Sequence, residues 1–469
     1  MKRIIKTPLL IISLLFSVVA CDDTDNVLVK KEMTIDTSDL HIDGCGDVGP
    51  FNVRFNLEDY ATIEDEPNID IARIALLFNA NICSYSDINV AGAGNFDHVT
   101  GYTRLFSRFN LEDIRSFDLN VDSDYTHIQV AHHFIKSNRK KYDIVFCSIH
   151  DSSAYKAWES NLDVGYDDAS YYEKTGEHLE WTEKENHKGF DVSANRTVTL
   201  LEDYLNTIKS GKTPQILYLF GHSRGGAIAN LGAKKLIDKG YNVAAYTCAS
   251  PLTTTSSEVS NPKYNHIFNY VNDVDAITYI PPASWGFKRF GKDIHFDIRN
   301  YSEQFKAFTG QDLPIYEDHS FIEQLFESAC SSRDLVYVFD EKYTVETSKA
   351  CDAQEKVDKY IEDYKERFSG SFASLKEFVR FDVTTNSDNK YVVKVVTCPG
   401  LLSHMIGIGI ATYGLNSAFT TLAVQYYSII SFFAKLAGVD NVLSLRDSIS
   451  AKDIAFAHFY QSYGTYLFS

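Results

Sequence analysis

The chain has 469 residues and 44% hydrophobic content, enough for one large core or for one domain with a substantial insertion. A formal net charge of −18 excludes electrostatic capture of nucleic acid and works against docking on anionic lipid through charge. The eight cysteines form no Cys-x-x-Cys pair and no Cys/His metal spacing, so no metal is expected.

Residues 1–20 read as a secretory signal rather than as part of the fold. Lys2, Arg3 and Lys6 form a basic start, and 9–19 is an apolar run too short to span a membrane. The run ends Val18-Val19-Ala20-Cys21, which resembles the lipobox of bacterial lipoproteins. That resemblance implies cleavage before Cys21, lipidation of Cys21 and attachment to a membrane through several acyl chains. The expectation is an exported lipoprotein, at the outer membrane or cell surface rather than the inner membrane. A polar tether with Asp22, Asp23 and Asp25 begins the 21–60 segment.

Helical apolar spacing marks 68–85. From Asp143 onward short apolar strands alternate with helical stretches. Strands are expected at 144–149, 215–220, 243–249, 266–271 and 294–298, with helices at 192–208 and 227–238. This alternation predicts an α/β fold with a mainly parallel sheet, whose ligands bind at the carboxyl ends of the strands. Cys147 and Cys248 fall inside apolar strands and read as buried thiols. Export permits some pairing among Cys330, Cys351 and Cys398, and the odd number of cysteines after Cys21 leaves at least one free.

After residue 302 the rhythm changes, and 303–450 reads as a mostly helical insertion. Residues 401–433 carry no Asp, Glu, Lys or Arg. His404, Asn416, Gln425 and three glycines interrupt the run, so buried helices in an apolar cap are expected rather than a membrane span. The organisation is then 1–20 signal peptide, 21–60 tether and N-terminal segment, 61–302 core, 303–450 insertion, and 451–469 a C-terminal segment returning to the core.

The chemistry concentrates at Gly221-His222-Ser223-Arg224-Gly225, directly after the 215–220 strand and before a helix rich in small residues. Bare Gly-x-Ser-x-Gly recurs by chance in roughly one chain in six of this length. The strand–turn–helix setting separates this copy from an ordinary glycine-rich loop with Ser223 as a helix cap. In that setting the turn is a nucleophile elbow, which holds a serine hydroxyl exposed above the sheet. A serine nucleophile requires a base, an acid that orients the base, and donors for the oxyanion. Asp273 and Asp275 both follow a strand downstream of Ser223 and both qualify by position. Among the histidines, His222 sits inside the elbow and reads as a packing residue. His319, His404 and His458 remain as bases.

These residues resemble the class 3, or fungal-type, lipases, and especially their bacterial branch. The elbow Gly-His-Ser-Arg-Gly-Gly-Ala-Ile-Ala-Asn-Leu carries the likeness, with Arg224 where fungal members have Leu. So do Tyr246-Thr-Cys-Ala-Ser-Pro251, His187-Lys-Gly-Phe190, Trp285-Gly-Phe-Lys-Arg-Phe-Gly291 and Val271-Asn272-x-x-Asp275-x-Ile-x-x-x-Pro281-Pro282. The resemblance covers about 65–300 and the last twenty residues. It implies an α/β-hydrolase fold and a Ser-His-Asp triad cleaving carboxylic esters, acylglycerol or phospholipid foremost, with no cofactor. It selects Asp275 over Asp273, and its C-terminal His-x4-Tyr pattern, His458 to Tyr463, selects His458 as base with His319 as the alternative. The spacing of Trp158 and Asn161-Leu162 places Ser152 at the oxyanion position beside the Arg224 N–H. Here the family's Arg-Gly pair is replaced by His150-Asp151. That replacement motivates the alternative of a non-catalytic surface lipoprotein that binds glycan or another ligand on a hydrolase scaffold.

Overall fold

The computed structural model describes residues 31–35, 41–42, 46–47, 51–86, 105–121, 124–152, 157, 160–161, 181–281, 283, 286–313, 336–338, 379–385, 391–397 and 457–469. The signal segment, Cys21, Trp158, Leu162, Trp285, His319, His404 and the 401–433 run lie outside the described residues.

In chain order, β1 (Lys31–Ile35) pairs antiparallel with β4 (Phe51–Phe55), and β2 (His41–Ile42) with β3 (Gly46–Asp47). Helix α1 (Ile69–Ser86) follows, then β5 (Glu112–Val121), β6 (Asp124–Ser137) and β7 (Lys140–Ile149). Helix α2 (Lys188–Ile208), β8 (Gln215–His222), α3 (Arg224–Asp238), β9 (Asn242–Cys248), β10 (Ile267–Asn272) and β11 (Lys292–Phe296) complete the alternating core. Helix α4 (Ser302–Thr309) precedes β12 (Val336–Val338), β13 (Val379–Thr385) and β14 (Tyr391–Thr397), and α5 (Tyr460–Phe468) ends the chain.

Seven strands form one sheet in the order β11-β10-β9-β8-β7-β6-β5. The strands from β7 to β11 run parallel; β6 pairs antiparallel with β7, and β5 pairs antiparallel with β6 at the edge. This mixed, mostly parallel sheet flanked by helices is the α/β-hydrolase architecture.

Successive side chains of a strand point to opposite faces, so each central strand feeds two apolar layers. Phe146, Tyr218, Phe220, Tyr246 and Tyr270 join α1 and α5 in one buried layer. Val145, Cys147, Leu217, Leu219, Val243 and Ala245 join α2 and α3 in the other. With both faces covered, the strands read as near-continuous apolar runs, which is why they stand out in the sequence. Both Cys147 and Cys248 are buried free thiols, and burial pushes their pKa values up.

Three features differ from the sequence reading. Strands β5 and β6 were not expected, because His127, Gln129, His132 and His133 interrupt the apolar pattern of β6. Helix α2 starts at Lys188, four residues before the expected start, where the His187 side chain caps the Phe190 N–H. The insertion was read as mostly helical, yet β12, β14 and β13 form a three-stranded antiparallel sheet within it. The β-branched residues of 379–385 and 391–397 favour a pleated strand over a helix. Among the described residues no helix is long and apolar enough to cross a membrane.

Candidate active site

The site sits at the carboxyl end of β8, at the middle of the sheet, where the chain turns sharply into α3. Ser223 holds φ 53° and ψ −126°, a conformation that L residues rarely adopt and that persists only where surroundings enforce it. Two close backbone approaches provide that enforcement. A Cβ on Gly221 would lie 2.1 Å from the Gly225 carbonyl oxygen, and one on Gly225 would lie 2.2 Å from that of Ile149. The Ser223 N–H is tied to the Cys248 carbonyl at 3.0 Å, and the Ser223 carbonyl receives the Ala227 N–H at 3.1 Å. Although Ser223 occupies the cap position of α3, its hydroxyl makes no capping hydrogen bond.

That hydroxyl instead meets His458, whose Nε2 lies 2.8 Å from Ser223 Oγ. His458 Nδ1 lies 2.9 and 3.1 Å from the two carboxylate oxygens of Asp275. Asp275 is fully buried. Its carboxylate also receives the Ile277 N–H at 3.0 Å, as the cap of a short 3-10 turn, and the Tyr463 hydroxyl at 2.8 Å. A carboxylate on Nδ1 keeps the proton on that nitrogen. Nε2 is then left with its lone pair toward the serine hydroxyl.

Asp273 is turned elsewhere. It bonds His295 Nδ1 at 2.8 Å and the Tyr279 hydroxyl at 3.4 Å, at the surface. Of the two aspartates open in the sequence, only Asp275 meets His458. His319 lies outside the described residues.

The segment carrying His458 is tied down at three points. Asn272 donates through Nδ2 to the Ala457 carbonyl at 2.9 Å and accepts the Ile298 N–H at 3.2 Å. His222 donates through Nε2 to the His458 carbonyl at 2.9 Å, and its ring stacks on Tyr460 with centroids 4.0 Å apart. The Tyr463 hydroxyl accepts the Asn272 N–H at 3.3 Å while donating to Asp275. Burial lowers the His222 pKa from its usual value, and the nearby His458 acts in the same direction against the pull of Asp151. Burial and the Asp275 charge raise the Tyr463 hydroxyl well above the usual phenol range, so it stays a donor.

On the other side of the elbow, Ser152 Oγ accepts the Asn161 side-chain N–H at 2.7 Å. The Asn161 carbonyl meets His187 Nε2 at 3.0 Å. His150 is buried, and its Nδ1 contacts the Asp151 carbonyl oxygen at 3.0 Å. The Asp151 carboxylate lies 3.5 Å from His150 and 3.7 Å from His222. The unusual His150-Asp151 pair therefore sets a carboxylate between two imidazoles. Arg224 is buried, and its guanidinium reaches three hydroxyls, those of Thr126, Ser160 and Ser193. Sequence reasoning gave no role to the side chains of Asn272, Tyr463, Asn161 or Arg224. All four stand within the motifs that carried the resemblance, which was the available signal.

Among the described residues no cluster of three or more His, Cys, Asp or Glu side chains is placed to hold a metal. A strained serine bonded to an imidazole, itself bonded to a buried carboxylate, is the arrangement of a serine hydrolase on an α/β-hydrolase core. Residues 148–285, from the end of β7 through the elbow and Asp275, match the family of lipases of class 3. The matched segment holds Ser223 and Asp275, and with the site's geometry it supports a carboxylic-ester hydrolase of lipase type. No curated protein sequence matches it. Similar solved structures include the lipase of Rhizopus microsporus var. chinensis, 16% identical over 58% of this chain and 84% of that one, with a TM-score of 0.31. The triacylglyceride lipase of Rhizomucor miehei is 22% identical over 49% and 81%, TM-score 0.31. The mono- and diacylglycerol lipase of Aspergillus oryzae is 16% identical over 49% and 79%, TM-score 0.33.

Proposed function

We propose that the protein is an exported, lipid-anchored serine lipase of the bacterial lipoprotein branch that cleaves acylglycerols or phospholipids. Ser223 is its nucleophile, His458 its base and Asp275 the acid that orients the base. The observation that carries this reading is the continuous hydrogen-bond line from Ser223 Oγ through His458 to Asp275, at 2.8 and 2.9 Å.

In this mechanism His458 Nε2 takes the Ser223 hydroxyl proton as Oγ attacks the ester carbonyl carbon. Asp275 stabilises the imidazolium that forms. The Ser152 N–H and hydroxyl and the Arg224 N–H receive the tetrahedral oxyanion, where each such donor contributes a few kcal/mol, roughly. The imidazolium then gives its proton to the departing alkoxide, leaving an acyl-serine. Water, deprotonated by His458, attacks this ester. Collapse returns the proton to Ser223 and releases the acid.

A fluorophosphonate probe tests the core of the reading. Stoichiometric labelling at Ser223, abolished in Ser223→Ala along with hydrolysis of p-nitrophenyl esters, is expected. Absence of labelling in folded protein would favour a ligand-binding lipoprotein instead. A chain-length series tests the lipid class. Each further buried CH₂ contributes about 0.8 kcal/mol, so preference for acyl chains of about eight carbons or more is expected. The anchor rests on Val18-Val19-Ala20-Cys21. Cys21→Ala is expected to move the protein from the membrane to the soluble fraction.

A further inference from the structure

Arg224 combines two features that its place in the elbow does not require. Its backbone N–H opens α3 beside the nucleophile, and its side chain is buried rather than solvated. The guanidinium turns back beneath the site. It donates to Thr126 Oγ1 on β6 at 3.0 Å, to Ser160 Oγ at 3.2 Å and to Ser193 Oγ on α2 at 2.7 Å. Both serine hydroxyls spend their own hydrogens on the Gly189 carbonyl, at 3.2 and 2.9 Å. Their lone pairs are thereby aimed at the cation, and the group is a built cradle rather than a chance contact.

Ser160 is the neighbour of Asn161, whose backbone carbonyl is held by His187 and whose side chain donates to Ser152 Oγ at 2.7 Å. A hydroxyl that accepts on one side has its hydrogen left to donate on another. The contacts therefore form a continuous path from the Arg224 guanidinium through Ser160 and Asn161 to the Ser152 hydroxyl. The same residue that presents one oxyanion donor through its main chain reaches, through its side chain, the support of the facing donor.

We propose that the Arg224 side chain is a positioning residue that fixes the Ser152 hydroxyl in donating orientation, so that the two halves of the oxyanion hole are set by one residue. This rests on the reading of Ser152 and Arg224 as the oxyanion donors. A leucine at this position fills the space without donating to Ser160. Ser152 then samples orientations in which its hydrogen points away from the developing charge, and transition-state binding suffers while substrate binding does not.

The test is a kinetic cycle with a soluble ester, using wild type, Arg224→Leu, Ser152→Ala and the double variant. Thermal melting of each confirms folding, and titration with a trifluoromethyl ketone reads binding of a tetrahedral oxyanion. Arg224→Leu is expected to lower kcat by 10- to 100-fold with KM within twofold, roughly the loss of one oxyanion donor. Affinity for the ketone falls in parallel. In the Ser152→Ala background the further loss from Arg224→Leu shrinks below about threefold, because the hydroxyl it positions is gone. Asn161→Asp, which can only accept from Ser152 Oγ, is expected to cost more than Asn161→Ala, and this pair serves if Arg224→Leu does not fold. Equal factors in both backgrounds, a rise in KM alone, or Asn161→Asp matching wild type would overturn the proposal. Failure of the underlying reading looks different: wild type itself would show no Ser223 labelling and no hydrolysis.

Discussion

Tyr463 donates its phenolic hydrogen to Asp275 Oδ2 at 2.8 Å, five residues after the histidine that the same carboxylate holds. The residues leading into α5 and the first turn of that helix thus supply both the imidazole and a lock on its acid. Tyr463→Phe deletes one of three donors to a fully buried carboxylate. Hydrogen bonds to charged groups contribute about 1.5–3 kcal/mol, so chemical denaturation should show a loss of that order. The freed carboxylate holds His458 less firmly, and kcat is expected to fall about tenfold, equivalent to 1.4 kcal/mol in the barrier. Unchanged kcat with unchanged stability would mean the tyrosine is a bystander.

The two aspartates that sequence alone left open separate cleanly under substitution. Asp275→Asn places an amide against His458 Nδ1. Its N–H donates to Nδ1, the imidazole proton shifts to Nε2, and that nitrogen no longer accepts from Ser223. A loss of about 10⁴-fold in kcat is expected, as for the same change in a serine-protease triad. Asp273 instead pairs with His295, both well exposed, at 49% and 40% for the histidine and aspartate. Surface pairs of this kind contribute about 0–1 kcal/mol, so Asp273→Asn should leave kcat within about twofold. Reversal of the two results would reassign the acid.

Local sequence carried the core because the central strands are buried on both faces and the elbow needs glycine where backbones touch. It carried the candidate chemistry less completely. Ser223 and His458 are separated by 235 positions, and no local pattern encodes a contact at that distance. Only the likeness of the final His-x4-Tyr segment to a family pattern linked them. Strand β6 was missed because Gln129, His127 and His132 are buried polar residues that break the apolar alternation. In β13 Val379, Phe381 and Val383 alternate with Arg380, Asp382 and Thr384, a period-two pattern inside an insertion read as mostly helical.

The glycines of the elbow region are not equivalent. At Gly221 an added Cβ meets backbone at 2.1 Å, which no side-chain adjustment relieves. Gly221→Ala should therefore prevent accumulation of folded protein or cost well above the usual 0.5–3 kcal/mol of a point substitution. At Gly232, within α3, the nearest atom is a Leu219 methyl at 3.5 Å, an ordinary contact. Gly232→Ala gains helix propensity and should stabilise by about 0.5–1 kcal/mol. Paired thermal or urea melts check both signs, and a stabilised Gly221→Ala would contradict the packing of the elbow described above.

His222 gives the fold a pH dependence distinct from catalysis. It faces Asp151, His458, Tyr460 and Tyr463, and burial holds its pKa below the usual 6.5. The folded state therefore keeps it neutral at pH values where the unfolded chain has already bound a proton. Its contribution to stability is complete above about pH 6.5 and is lost progressively as the pH falls toward and through the lower folded value. The slope from one such group approaches about 1.4 kcal/mol per pH unit within that window. His222→Gln keeps an N–H donor for the His458 carbonyl but does not titrate. Urea unfolding between pH 7.5 and 5.5 should show a shallower loss of stability in the variant than in the wild type. Equal slopes would mean that Asp151 keeps His222 charged in the folded protein, and that the contact under the catalytic histidine is made by an imidazolium.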